Sequence, residues 1–213
     1  MNRGKILDAW RRKRASGRRI EGGRSGPDYI TVSNEDKLKG ARGIAGLLPI
    51  GDANGLSLQS ARERSLTAAA VPLLAGVCAT DPLRLIDKLL EELKELGVAG
   101  VQNAPSVGLI DGGFRTNLED AGLGFAKEVE MIRLARQLDL VTAPLVFSPE
   151  DARRMTEAGA DVVVIHPGFG NGKPIEAIAS AAREARKDVL VFALGSAEMA
   201  GTEPGTLDGI QTD

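Results

Sequence analysis

The sequence predicts an α/β protein built on a parallel sheet, and three observations carry that prediction. From Pro72 onward, short apolar runs alternate with amphipathic segments. The apolar runs show little in-and-out alternation, as strands buried on both faces do. A helical pattern separates successive runs, which implies parallel crossovers. An eight-fold barrel and a doubly wound sheet both satisfy this pattern. No glycine-rich dinucleotide fingerprint follows the first strand candidates, which counts against the doubly wound sheet.

The elements are legible in order. A leading helix places Ile6 and Trp10 four residues apart on one face and carries the basic stretch "WRRKRASGRR", Trp10 to Arg19. Such a run is either the solvated face of a helix or a patch for an anionic partner; lacking interleaved aromatics, it reads as the former. "DYITVS" is a strand candidate, followed by an irregular piece from Asn34 to Gly55. "VPLLAGV" leads to "DPLRLIDKLLEELKELG", where Asp81 and Pro82 read as a helix start, Leu85, Leu89, Leu93 and Leu96 as its buried stripe, and Gly97 as its end. "VAGVQN" then enters a stretch from Asn103 to about Gly124 with no sustained period. Loops beyond about 12–15 residues are uncommon unless they bind something or move.

Next come the helix "FAKEVEMIRLARQL" and the strand "DLVTAPLVF". Ser148 then caps a helix with Pro149 in its first turn, Asp151 three residues after the cap and Gly159 at its close. "DVVVIHPG", "PIEAIASAAREARK" and "DVLVFALG" complete the alternation.

Composition narrows the function. The chain has 213 residues, 43% hydrophobic and 26% charged, with a net charge of −2. That suits one domain over residues 1–213, with a basic leading helix and shortened first unit over 1–27, a barrel core over 28–195 and a polar, disordered tail over 196–213. Balanced charge and 3% aromatics argue against nucleic acid as a partner. The apolar stretches are too short to span a bilayer, and the basic N-terminus lacks the apolar region of a secretion signal. With a single cysteine, no internal disulfide is available. A cytoplasmic protein, away from membranes, is the expectation.

Several residues invite a chemical reading, each beside a plainer one. Cys78 ends a strand, as a nucleophile or as a small buried filler; no adjacent His or Lys would lower its pKa. Asp81 is a helix cap or part of a site at the strand ends. Gln102 and Asn103 are adjacent amides that must find partners, in a ligand or in loop backbone. Asp111, before Gly112 and Gly113, is a turn residue or an acid of the site, and Arg115 offers the planar fork that suits carboxylate and phosphate. His166, the only histidine, stands at a strand end for acid/base or ligand-orienting duty. A lone His excludes a multi-histidine zinc site within one chain. "GFGNGK", from Gly168 to Lys173, is a weak candidate for an anion cradle or a flexible connection.

Three stretches carry a resemblance. "GIAGLLPIGDANG", "VPLLAGVCATDPLRLIDKLLEELKELGVAGVQNAPSVGLIDGGFRTNLEDAGLG" and "EVEMIRLARQLDLVTAPLVFSPEDARRMTEAGADVVVIHPG" closely resemble the phosphoenolpyruvate hydrolase-like family. These are TIM-barrel proteins, also described as a signal-transduction barrel related to indole-glycerol-phosphate synthase. The resemblance implies a TIM (βα)8-type barrel whose post-strand loops gather at one end as the active face.

It also marks two departures. "RRIEGGRSGPDYITVSNEDKLKG" compresses the β1–α1 unit, and "SAEMAGTEPGTLDGIQTD" replaces the turn, helix and eighth strand, so β8 is expected to be absent. An incomplete barrel would lose loops that commonly hold phosphate and would expose sheet edges, which points to a homo-oligomer.

The implied activity is that of a hydrolase or lyase acting on phosphoenolpyruvate or a related oxo-acid, the alternative being a non-catalytic ligand-binding or regulatory barrel. By analogy with related phosphoenolpyruvate enzymes, Asp81, Asp111 and Glu128 would hold Mg²⁺, with no organic cofactor. The candidate catalytic set is Asp81, Asn103, Asp111, Glu128 and His166. The candidate substrate-binding set is Asp52, Asn54, Cys78, Gln102 and Arg115, of which Asp52 and Asn54 enter through the family motif alone.

Overall fold

The computed structural model describes residues 2–34, 49–65, 71–168, 175–195 and 205–212. Among them, in chain order, are α1 (Arg3–Ala15), β1 (Ile20–Gly23), β2 (Tyr29–Val32), α2 (Ala53–Ser65), β3 (Leu73–Gly76), α3 (Ile86–Glu95) and β4 (Gly100–Gln102). A 3-10 turn (Val107–Leu109), α4 (Gly112–Asp120), α5 (Phe125–Gln137), β5 (Val141–Thr142), β6 (Leu145–Val146) and α6 (Pro149–Glu157) follow. β7 (Val162–Ile165), α7 (Ile175–Ala185), β8 (Leu190–Leu194) and β9 (Gly209–Thr212) end the series.

Every strand pairing is parallel, in the order β5-β4-β3-β2-β1-β9-β8-β7-β6. The two ends of that row are neighbours in sequence, separated only by Ala143 and Pro144. Ala143 N–H donates to Val101 O at 3.0 Å, and Pro144 O accepts from Val164 N–H at 2.8 Å. One segment, 141–146, therefore pairs β4 with its first half and β7 with its second. The sheet closes into a ring of eight strand positions, the TIM-type barrel that the resemblance implies.

The strands buried on both faces are those the apolar runs marked: β3, β7 and nearly all of β8 are enclosed. Helices cover them through Leu89, Leu90 and Leu93 of α3, Phe125, Met131 and Ile132 of α5, and Ala152 and Met155 of α6. Ser148 Oγ accepts from Asp151 N–H at 3.1 Å, so the expected cap of α6 is in place. Gly159 closes that helix at φ +104°, a conformation that L side chains rarely adopt.

The first unit is compressed, as expected. β1 and β2 run parallel through residues 24–28 with no helix between them. Parallel neighbours usually need about a dozen connecting residues. Here each strand has four, so the return spans only about 13 Å, within reach of five extended residues. The pair is tight: a Cβ on Gly22 would lie 1.8 Å from the Tyr29 ring.

The expected absence of the last strand is corrected. Gly209–Thr212, inside the segment read as a disordered tail, pairs with both β8 and β1 and fills the eighth position. Asp208 prepares that entry, since its backbone binds Val191 O and Ile20 N–H while its carboxylate accepts from Val191 N–H at 2.9 Å.

Two further expectations change. α3 begins at Ile86 and not at Asp81, because Asp81 Oδ1 bonds Leu83 N–H at 2.8 Å and holds 81–83 as a turn. Leu85 is consequently 72% exposed, Leu96 is partly buried, and Leu90 joins the buried set. The stretch read as an irregular loop contains the 3-10 turn and α4, a helix that buries none of its residues.

α1 lies across the opening at the N-terminal ends of the strands. Trp10 packs against Tyr29 of β2 and Phe192 of β8, with ring centroids 5.2 and 6.0 Å away. Its basic residues meet acids placed just before strands. Arg3 pairs with Asp161, Lys13 with Asp28, Arg11 with Asp188 and, at 3.7 Å, Arg14 with Asp208. Arg11, Lys13 and Arg14 of the basic run are thus paired with the barrel's own acids, which neither reading from sequence anticipated. Arg12, Arg18 and Arg19 form the solvated face that the sequence predicts.

Candidate functional site at the C-terminal mouth

A polar layer crosses the barrel near the C-terminal ends of its strands. Gln102 ends β4 and Gln211 is the third residue of β9, four positions away around the ring of eight, so the two face each other across the interior. Gln102 Nε2 donates to Gln211 Oε1 at 2.7 Å, and Gln211 Nε2 returns a bond to Gln102 Oε1 at 3.1 Å. Tyr29 Oη, reaching up from the start of β2, donates to Gln211 Oε1 at 3.1 Å. Burial pushes the Tyr29 phenol well up, keeping it protonated as a donor. Gln102 therefore finds its partner in another strand, where sequence reasoning offered a ligand or loop backbone. Gln211 and Tyr29 were missed, because Gln211 lies in a polar, glycine-rich stretch that gives no local signal.

Asn103, one residue further, is fully buried and serves as an anchor. Its Oδ1 accepts from Leu145 N–H at 2.7 Å, while its Nδ2 donates to Glu128 Oε2 at 2.5 Å and Leu145 O at 3.2 Å. Glu128, in the first turn of α5, is only 1% exposed. Ser106 Oγ donates to its Oε2 at 2.7 Å and Val107 N–H to its Oε1 at 2.8 Å. Removal from water pushes the Glu128 carboxyl up to about 7, against the opposing pull of those donors and of Arg115. Arg115 extends the same brace, donating to Val107 O at 2.9 Å and to Glu119 at 2.7 Å, with its guanidinium carbon 5.7 Å from the Phe125 ring centroid. These residues hold the loop after β4.

Asn54, at the start of α2, clamps the end of β3. Its Oδ1 accepts from Cys78 N–H at 2.9 Å, and its Nδ2 donates to Cys78 O at 3.0 Å and to Asp81 Oδ2 at 2.8 Å. Asp52 receives a bidentate fork from Arg84 at 2.5 and 2.6 Å and a bond from Gly55 N–H, and the Arg84 hydrogen bonds hold its carboxyl below the usual range. Arg84, unremarked in the sequence, also reaches Asp81 at 3.2 Å. Cys78 is a free thiol, 2% exposed, and burial pushes it up, away from the reactive thiolate.

His166 follows β7 at the same end of the barrel and is half-buried. Gly168 N–H donates to its Nδ1 at 3.0 Å, which assigns the neutral ring's proton to Nε2. Its ring lies 5.5 Å from that of Phe147. Asp111 sits exposed at the N-terminus of α4 and makes no cap bond with its side chain. Of the glycine-rich stretch only Gly168 lies among the described residues, and residues 35–48 of the other long loop lie outside them.

The three acids expected to hold Mg²⁺ do not fit that role in this arrangement. Both Glu128 oxygens are taken by N–H and O–H donors, both Asp81 oxygens by Leu83, Asn54 and Arg84, and Asp111 points into solvent. Among the described residues, no three His, Cys, Asp or Glu are grouped as a metal would need. No helix among them is long and apolar enough to cross a membrane.

The chain is 47% identical over 146 residues to the ToMV resistance protein Tm-1(GCR237) of Solanum lycopersicum, an alignment covering 68% of this chain and 19% of that protein. It thus spans about a fifth of that relative's length. Among solved structures, a 2,3-dimethylmalate lyase of the PEP mutase/isocitrate lyase superfamily superposes with a TM-score of 0.61 at 15% identity, covering 97% of this chain and 80% of that one. A mutant tryptophan synthase alpha-subunit from Pyrococcus furiosus superposes with a TM-score of 0.53 at 12% identity, covering 92% and 86%. At those identities the structures speak to the fold alone, and the fold is a TIM-type barrel. Residues 18–189 match the sequence profile of the phosphoenolpyruvate hydrolase-like proteins, and the chain belongs to that family.

Proposed function

We propose that this barrel takes a small phosphorylated or oxo-acid compound into the mouth at the C-terminal ends of its strands and acts on it as a hydrolase or lyase. The observation that carries the reading is the gathering of Gln102, Asn103 and His166 at the ends of β4 and β7, the end where barrels of this kind perform their chemistry. Family membership supports a substrate of the phosphoenolpyruvate type. Within this reading His166 is the acid/base group, while Glu128 and Asn103 position the loop after β4.

The test is a thermal-shift screen of phosphoenolpyruvate, pyruvate and oxaloacetate, with and without Mg²⁺, followed by product analysis of every stabilising compound. Turnover is expected to fall by about 100-fold or more in His166→Gln, as loss of an acid/base group does, and to be unaffected in Asp111→Ala. Full activity in a folded His166→Gln variant would remove that residue from the chemistry.

A second reading, a ligand-binding barrel without turnover, is favoured by one observation: Asp52, Asp81 and Glu128 are all engaged in internal bonds. It predicts a compound that raises the melting temperature and is recovered unchanged. The buried free thiol is compatible with a cytoplasmic setting. Open sheet edges do not support a homo-oligomer here. The described strands close into a ring without an open edge, and what remains is the exposure of Leu83, Leu85 and Phe114 on the segments that follow β3 and β4.

A further inference from the structure

The Gln102–Gln211 pair uses only part of its hydrogen-bonding capacity. A primary amide offers two N–H donors and two acceptor lone pairs. The reciprocal bonds take one donor and one acceptor from each side chain, and Tyr29 takes the second lone pair of Gln211 Oε1. What remains is one N–H on each amide and one lone pair on Gln102 Oε1, an excess of donors. Both side chains are enclosed, at 4% and 6% exposure, so donors left open there cost free energy that an oxygen atom would recover.

The layer's position says where that oxygen comes from. It stands near the C-terminal ends of β4 and β9, while Tyr29, Phe192 and Trp10 fill the barrel towards the opposite end. From the N-terminal side the layer is closed. Its other side faces the C-terminal ends of the strands.

We propose that this paired-amide layer is a binding floor selective for an anionic oxygen, the carboxylate or phosphate group of a small acid entering from the C-terminal mouth. The inference rests on the reading above that a small acid enters there, and it adds which group faces inward and what holds it. The two open N–H groups suit an acceptor-only anion. A neutral amide of the same shape sets its own N–H donors against them. Gln211 supplies one donor directly. Tyr29 acts one step back, by occupying the lone pair that would otherwise offset the donor excess.

Isothermal titration of the full chain with phosphoenolpyruvate, pyruvate and pyruvamide tests this. Pyruvate is expected to bind more tightly than pyruvamide by about tenfold or more. Gln211→Glu keeps the shape and the acceptor facing Tyr29 while replacing the whole amide NH2, both its open N–H and the N–H paired with Gln102 Oε1, by a charged oxygen. It is expected to weaken phosphoenolpyruvate by about tenfold or more, with its fold verified by circular dichroism and melting temperature. Tyr29→Phe leaves the amide pair in place, so it carries the test if the first variant fails to fold. Its preference for pyruvate over pyruvamide is expected to shrink by about threefold. Wild-type binding of phosphoenolpyruvate that persists unchanged in a folded Gln211→Glu, or an unchanged preference in Tyr29→Phe, would overturn the floor and leave the small-acid reading standing. Failure of wild type to bind either phosphoenolpyruvate or pyruvate would overturn both.

Discussion

Glu128 shows how one side chain ties local packing to a measurable property. Its carboxyl is pushed up to about 7 by removal from water, against about 4.5 for the unfolded chain. Between those values the native state holds a proton that the unfolded state has released, so stability falls as pH rises through that window. The gap corresponds to about 3 kcal/mol, fully present below about pH 4.5 and lost above about pH 7. Urea denaturation at closely spaced pH values should show this slope in wild type and not in Glu128→Gln. A matching slope in the variant would assign the titration elsewhere. The burial of this acid could have been seen in the sequence, since Glu128 lies three residues after Phe125 and four before Ile132, on the apolar face of α5. The donors it meets, Asn103 and Ser106, sit more than twenty residues upstream in a loop whose path no local pattern specifies.

Among the elements, α1 behaves as a stopper whose charges were chosen for the barrel. Arg3 grips Asp161 through two guanidinium nitrogens, at side-chain exposures of 15% and 3%, and Asp161 also binds Thr142 N–H at 3.1 Å. Removing one partner of an enclosed pair strands the other charge. Arg3→Met should therefore lower stability by about 3 kcal/mol. Arg11→Met, which loses a solvent-exposed pair with Asp188, should cost about 0.5 kcal/mol or less. Equal losses in chemical denaturation would show that the helix is held by its apolar face alone. The helix itself was legible from Ile6 and Trp10. Its partners were not, because Asp28, Asp161, Asp188 and Asp208 are dispersed in sequence and share only their place before a strand. α4 escaped notice for the opposite reason. It buries nothing, so it leaves no apolar period to read.

At the scale of the whole molecule, the parallel ring follows from runs such as "DVVVI" and "VLVFAL", which only burial on both faces explains. β9 was illegible because its four residues combine a glycine, a threonine and a glutamine with one isoleucine, and the glutamine serves the interior of the barrel instead of its wall. Closing the ring brings residue 211 opposite residue 102, and no short-range pattern foretells that meeting. The same closure separates two ends with different duties. The N-terminal end is stoppered by α1, and the C-terminal end carries the amide floor, His166 and the braced loop after β4.

Hydrogen–deuterium exchange of the full chain with and without saturating phosphoenolpyruvate tests that division most directly. Added protection is expected at the ends of β3, β4 and β7, around residues 77–79, 102–107 and 165–168, with α1 and the strand starts unchanged. Protection confined to α1 and the residues preceding the strands, or none anywhere, would contradict a ligand-binding mouth at the C-terminal end.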